Sequence, residues 1–229
     1  MERTFDRVVR FDERSKSFPI RTLVTARQPR AYSWRHLQLD QGTEGACTGF
    51  SATMEAAARP RPFFGDLGLG STLARIPEVT RTAREVYHRA RQLDEWPGED
   101  YEGSSVLGAA KAGQERGWWG EYRWALGPGP ERAAQDVILA LGYAGPVMMG
   151  TNWYEAMSRP RGDAALVVAG EVVGGHAYLL TRYSKTRDAV WTPNSWGGEG
   201  QGWISRADLV RLLDEEGEAC LALNRKMPK

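Results

Sequence analysis

The two halves of this 229-residue chain follow different hydrophobic periodicities, and that limits the folds open to it. In TRTAREVYHRARQLDEW, residues 80–96, apolar residues return at helical spacing through Ala83, Val86, Tyr87 and Ala90. A helix is also expected from about Cys47 to Arg59, with Ala52, Ala56 and Ala57 suited to close packing and Pro60 and Pro62 as its stop. Ser104 or Ser105 is placed to cap a further helix over VLGAAKAGQERG, ended by Gly117, although its two interior glycines weaken it. The second half reads differently. GPVMMGTNW, AALVVAGEVV, GHAYLLTRY and DAVWTPNS are short apolar segments of strand type, QGWISRADLVRLLDEEG joins a strand to a short helix, and EACLALN makes a final strand. Helices early and strands late imply an α+β protein, with a helical lobe and a β-rich lobe divided near residues 125–145.

The remaining segments connect these. Residues 1–30 are polar with little periodicity and are expected to form an arm with one short strand at most. Residues 31–46 approach the first helix in extended form, and residues 60–80 are a Pro/Gly-rich connection. One domain over 31–224 is expected, followed by a tail at 225–229.

Lys+Arg number 30 and Asp+Glu 29, so net charge gives no reason to expect nucleic acid or an anionic membrane as partner. RPRPFFGDLG is too short to establish a nucleic-acid site. No stretch approaches about 18 consecutive apolar residues, so no transmembrane association is expected. The charged N-terminus lacks the apolar core of a secretory signal peptide. With only Cys47 and Cys220 the chain is no disulfide scaffold, and a reducing compartment suits it. A cytoplasmic protein, or one carried within a virion-like assembly, is the expectation.

Taken singly, each residue with chemical potential has a plain explanation beside the reactive one. Cys47 begins a helix, where unpaired N–H groups and the dipole favour a thiolate; free cysteines are also commonly small buried hydrophobes. His176 follows two glycines at the start of a strand that would hold it rigidly, as a proton acceptor or as a core histidine bonded to a carbonyl. Asn194, in TPNSWGGEGQGWI, suits the orientation of an imidazole, with Trp196 shielding the contact, and equally suits a turn. Gln41 has an amide for a developing oxyanion, or is a surface glutamine. Cys220 reads as a core residue of the final strand. Trp118, Trp119, Tyr122 and Trp124 are expected to pack between the lobes rather than hold a ligand. His36 and His88 show no metal-ligand spacing with Cys47, so no metal is expected.

Together, DQGTEGACTGFS, GGHAYLL and NSWGGEGQGWI, in that order, resemble the nucleophile, histidine and asparagine segments of the papain-like cysteine proteases. YEGSSVLGAAKAG resembles the helix entrance of compact bacterial or bacteriophage-type members. The resemblance implies a papain-like two-lobed fold with a helical left lobe and a β-rich right lobe. It implies Cys47 as nucleophile, His176 as its base, Asn194 as the orienting residue, Gln41 at the oxyanion hole and Trp196 as the shielding indole. Gly103, with Ser104, would line the cleft and pair with the backbone of a peptide or protein substrate. No cofactor is implied. The implied reaction is peptide-bond hydrolysis through an acyl-thioester; capture of that thioester by an amine, and a papain fold kept only as a structural or interaction component, are the alternatives. Three departures stand out. Glu44 replaces a cysteine that braces secreted relatives, and Thr48 replaces the tryptophan that usually follows the nucleophile. The roughly 30 residues before the domain are too short for a long inhibitory propeptide, so control is of another kind or the chain is already processed, and the arm is placed to cover the cleft in part.

Overall fold

The computed structural model describes residues 3–24, 27–58, 69–94 and 103–224. The RPRPFFGDLG stretch, the prolines expected to stop the first helix, most of the WPGEDYEG turn and the 225–229 tail lie outside the described residues.

Three helices build one side of the molecule: α2 (Cys47–Ala56), α3 (Leu69–Leu93) and α4 (Val106–Glu115). They follow a short helix, α1 (Arg21–Val24), and a short strand, β1 (Tyr32–Ser33). Helix α3 starts earlier than expected and runs through Pro77. A proline removes one i→i−4 bond, but the buried stripe Val79, Ala83, Val86, Tyr87 and Ala90 keeps the helix packed beyond it. Ser105 caps α4, its hydroxyl accepting from the Gly108 N–H at 2.9 Å. The interior glycines of α4 have packing reasons. A Cβ on Gly108 would lie 2.6 Å from an Asp94 carboxylate oxygen, and one on Gly113 2.1 Å from the Trp119 ring. Propensity is given up for close approach.

The next elements are β2 (Glu121–Trp124), α5 (Pro130–Tyr143), β3 (Val147–Tyr154), β4 (Ala165–Leu166) and β5 (Val172–Leu180). After them come β6 (Arg182–Ser184), β7 (Ala189–Thr192), β8 (Gly202–Ser205), α6 (Arg206–Asp214) and β9 (Glu218–Leu223). A four-stranded sheet runs β2-β9-β3-β5, and a five-stranded sheet runs β1-β6-β7-β8-β4. The first sheet divides the two cores by simple alternation. Met148, Leu179 and Cys220 face one way and join Phe50, Met54, Val86, Leu107, Trp118, Trp119 and Trp124 among the helices. Their neighbours Val147, Met149, Leu180 and Leu221 face the other way and join Ile138 and Leu141 of α5 with Leu209 and Leu212 of α6. The border between lobes is therefore a sheet rather than one point near residues 125–145. The tryptophans of the 114–129 run lie in the helical-side core, with the Trp119 indole N–H donating to the Ala110 carbonyl at 3.0 Å.

The arm contains no strand among its described residues. It has a 3₁₀ turn at Glu13–Ser17 and helix α1, and it anchors Ile20 and Val24 in the β-side core. Among the described residues no helix is long and apolar enough to cross a membrane.

Candidate active site

Cys47 opens α2 from the helical side. The N-cap, Ala46, offers no side-chain hydrogen bond, so the first-turn N–H groups of α2 are left uncapped beside the sulfur. Small residues are required here: Gly45 lies so close to Asp6 of the arm that a Cβ would meet its carboxylate. Thr48, the residue after Cys47, is buried. Glu44 pairs with Arg84 of α3 at 2.7 Å, tying the loop to the helix. Both cysteines are free and buried.

His176 sits on β5, whose next residue, Ala177, donates its N–H to Cys47 Sγ at 3.4 Å. That bond joins the helical and β sides. The imidazole Nε2 lies 2.8 Å from Asn194 Oδ1. The orientation of the Asn194 amide is set by its neighbours, because Oδ1 accepts from the Ser195 N–H at 2.7 Å while Nδ2 donates to the Gly200 carbonyl at 3.2 Å. An oxygen facing Nε2 requires Nε2 to carry the proton. Nδ1 is then the basic nitrogen, and it is buried without a hydrogen-bond partner among the described residues. Asn194 adopts φ 55°, a left-handed conformation that asparagine tolerates better than most residues.

Gln41 lies on the segment leading into α2 and is tied to Ser195 and Glu44. Its Oε1 accepts from the Ser195 hydroxyl at 2.6 Å, its Nε2 donates to the Glu44 carbonyl at 2.9 Å, and its backbone N–H donates to the Ser195 carbonyl at 2.9 Å. Gln38 reinforces the seam by donating to the carbonyls of Pro193 and Asn194, each at 3.1 Å. Trp196 lies over the imidazole, ring centroids 4.7 Å apart, and Trp153 of β3 meets it edge-on at 4.9 Å.

The arm completes the enclosure. The Arg7 N–H donates to the Gly175 carbonyl at 2.8 Å, the Val8 N–H to the Ser104 carbonyl at 2.9 Å, and the Ser104 N–H to the Asp6 carbonyl at 3.1 Å. Residues 6–8 thus lie as an extended segment between the start of α4 and β5. Glycine is needed on both sides: a Cβ on Gly103 (φ 103°) would lie 2.1 Å from the Asp6 carbonyl oxygen, and one on Gly175 2.3 Å from that of Arg7. Gly103 and Ser104 lie against the backbone of the chain's own arm. Ser104 and Ser105 are fixed by Asp94 of the α3 end, which accepts from the Ser104 hydroxyl at 2.7 Å, the Ser105 N–H at 3.0 Å and the Ser105 hydroxyl. Phe5 packs edge-on against His176 (5.9 Å) and Trp196 (5.7 Å). Arg3 spans Asp40 (2.9 Å) and Glu199 (3.0 Å). Phe5, Arg7, Trp153 and Asp94 carry no local sequence signal that marks them as parts of this site; Ser195 lies within the asparagine segment, and its bond to Gln41 was not read from it.

Coverage has an electrostatic consequence. Cys47 and His176 are fully buried. Burial pushes the Cys47 thiol up to about 11, against the pull of the Ala177 and Asp6 N–H groups. Burial also lowers His176 to about 4, although Asn194 pulls it up. With the arm in place both groups rest in their neutral forms.

Neither a family model nor a curated protein matches the sequence. Solved structures do resemble the fold. Xylellain, a cysteine protease from Xylella fastidiosa, superposes with a TM-score of 0.61 at 12% identity, covering 99% of each chain. Digestive procathepsin L2 proteinase from Tenebrio molitor superposes with a TM-score of 0.54 at 15% identity, over 96% of this chain and 78% of that one. The fold is that of the papain-like cysteine proteases. ProCathepsin B S9 from Trypanosoma congolense adds a TM-score of 0.52 at 15% identity, over 98% of this chain and 84% of that one. The likeness of the papain-like fold thus reaches beyond bacterial and bacteriophage-type members.

Proposed function

We propose that the protein is a cysteine peptidase, hydrolysing peptide bonds with Cys47 as nucleophile. The observation that carries this is the state of His176: Nε2 is committed to Asn194 Oδ1, and Nδ1 is a free base on the residue next to the one that touches Cys47 Sγ. Once the site is uncovered, Nδ1 takes the thiol proton. Sγ attacks the carbonyl carbon, the oxyanion is met by the Cys47 backbone N–H and the second proton of Gln41 Nε2, and Nδ1–H protonates the leaving amine. A water, deprotonated by Nδ1, then releases the acid from the thioester. Asn194 keeps the ring in one tautomer throughout, and Trp196 keeps water from that bond. Gly103 and Ser104 bind the substrate backbone. No step requires a metal or cofactor.

One observation favours a second reading, a papain fold used for interaction alone: the thiol has no exposed surface. A fluorogenic peptide library with wild-type and Cys47→Ala chains, alongside iodoacetamide labelling, separates the two. Hydrolysis is expected from the wild type and none from Cys47→Ala at an unchanged melting temperature, with Cys47 labelled faster than Cys220. Equal, slow labelling and no hydrolysis, even after the arm is weakened, would leave the interaction reading standing.

A further inference from the structure

Strand alternation in the five-stranded sheet sends Tyr183, Val190 and Ile204 into the β-side core and leaves their neighbours Arg182, Trp191 and Trp203 on the outer face. The outer residues share one row. Ser33 pairs in register with Arg182, Arg182 with Trp191, and Trp191 with Trp203. The two indoles meet edge to face at 5.1 Å. Arg182 lies over both, 5.8 Å from the Trp191 centroid and 5.7 Å from that of Trp203, and its Nε donates to the Ser33 hydroxyl at 3.0 Å. Arg187 lies over Trp203 at 5.5 Å. A shallow depression lined by Trp203, Arg182 and Ser33 continues to Tyr32 at the β1 edge. There the pattern repeats. Arg30 lies over Tyr32 (5.4 Å) and over Tyr143 of α5 (4.6 Å), and Arg27 lies over Tyr143 (5.1 Å). The four arginines and Tyr32 are exposed, and Tyr143, Trp191 and Trp203 are half-buried.

We propose that this stripe of alternating arginines and aromatic rings binds single-stranded nucleic acid, independently of any peptidase activity. The near balance of charge over 229 residues does not describe one face of the molecule. Two carboxylates border the stripe. Asp163 is exposed and pairs with Arg187, while Asp188 accepts from the Tyr183 hydroxyl at 2.9 Å and lies 4.0 Å from Arg206. An exposed pair such as Asp163 with Arg187 is screened by salt and yields readily to a phosphate. Four guanidiniums and four rings then supply the two things a single strand needs, cations for its phosphates and flat faces for its bases. A guanidinium held over a ring keeps N–H edges for phosphate oxygens, and its plane also serves as a stacking surface for a base. A duplex keeps its bases stacked on one another and meets only the charges. An acidic peptide or a sulfated glycan likewise meets the charges but has no base to place against indoles set 68° apart.

The test uses the full chain and a fluorescein-labelled oligo(dT) of about 12 nucleotides, with binding read by fluorescence polarisation between about 50 and 200 mM salt. A Kd of about 1–100 μM is expected at the lower salt, with log K falling against log salt at a slope of about −2.8 for four phosphates. Arg182→Gln with Arg187→Gln should flatten that slope to about −1.4. Trp203→Ala should weaken binding about tenfold and leave the slope unchanged, because it removes a stacking face and no charge. Melting temperatures establish that each variant is folded. Should Trp203→Ala not fold, Tyr32→Ala, at the exposed sheet edge, makes the same comparison. Absence of binding at low salt overturns the proposal, as does a slope that the two glutamines leave unchanged. A duplex of the same length that binds as tightly overturns it too, as does heparin or poly-glutamate that displaces the strand at equal charge, since either result marks a patch that reads charge alone. Peptide cleavage is measured separately, and its presence or absence leaves this outcome unaffected.

Discussion

Replacing Phe5 with alanine should uncover the thiol without unfolding the domain. The ring is half-buried and packs edge-on against His176 and Trp196, at centroid distances of 5.9 and 5.7 Å. Truncating a fully buried phenylalanine costs about 3–5 kcal/mol, so about half of that, near 2 kcal/mol, is expected for a half-buried ring. The loss falls on the docking of the arm, because Phe5 belongs to the arm and only lies against the β-side core. At about 1.4 kcal/mol per tenfold, the population with the arm lifted rises about 30-fold. Iodoacetamide labelling followed by peptide mass mapping reads this directly when reclosing is faster than alkylation. Cys47 should label about 30-fold faster, and Cys220, buried in β9, should keep its wild-type rate. An unchanged Cys47 rate would refute the arm as the cover. A parallel rise at Cys220 would show global unfolding instead.

Asn194→Ala removes the acceptor that fixes His176, so kcat should fall by about 10²-fold with little change in KM, and the basic limb of the kcat/KM profile should shift as the ring loses its partner; an effect confined to KM would place Asn194 in substrate binding. Burial holds His176 near 4 in the folded chain, below its ordinary 6.5. The stability this contributes is complete above about pH 6.5 and is lost as pH falls toward 4, by up to about 3 kcal/mol. Denaturant unfolding of wild type and His176→Gln should therefore converge by that amount between pH 7 and pH 4, and parallel profiles would contradict the burial argument.

The helical periodicity of 80–96, the serine cap before VLGAAKAGQERG and the alternation of GPVMMGTNW were readable because each depends on near neighbours in the chain. Helix α3 exceeded its expected start because packing beyond Pro77 outweighed a local stop signal. The interior glycines of α4 weakened that helix on propensity alone, yet Asp94 and Trp119 need the space they leave. The same distinction runs through the site. Cys47, His176, Asn194 and Gln41 stand in short segments whose residue types announce their chemistry. Phe5, Trp153 and Asp94 do not.

What the sequence determined by itself was the α+β class, the near balance of charge, the helix that presents Cys47 and the segments that carry the histidine and the asparagine. These follow from periodicity, capping and residue type, which act over a few positions. Only the tertiary structure decided what lies in the cleft. Arg7 and Glu218 stand 211 residues apart and meet because β9 is drawn beside β3 while the arm is drawn over β5. Nothing in either residue's neighbours encodes that meeting. It arises from the packing of the whole chain, which removes water from both charges at once and leaves each as the other's main partner.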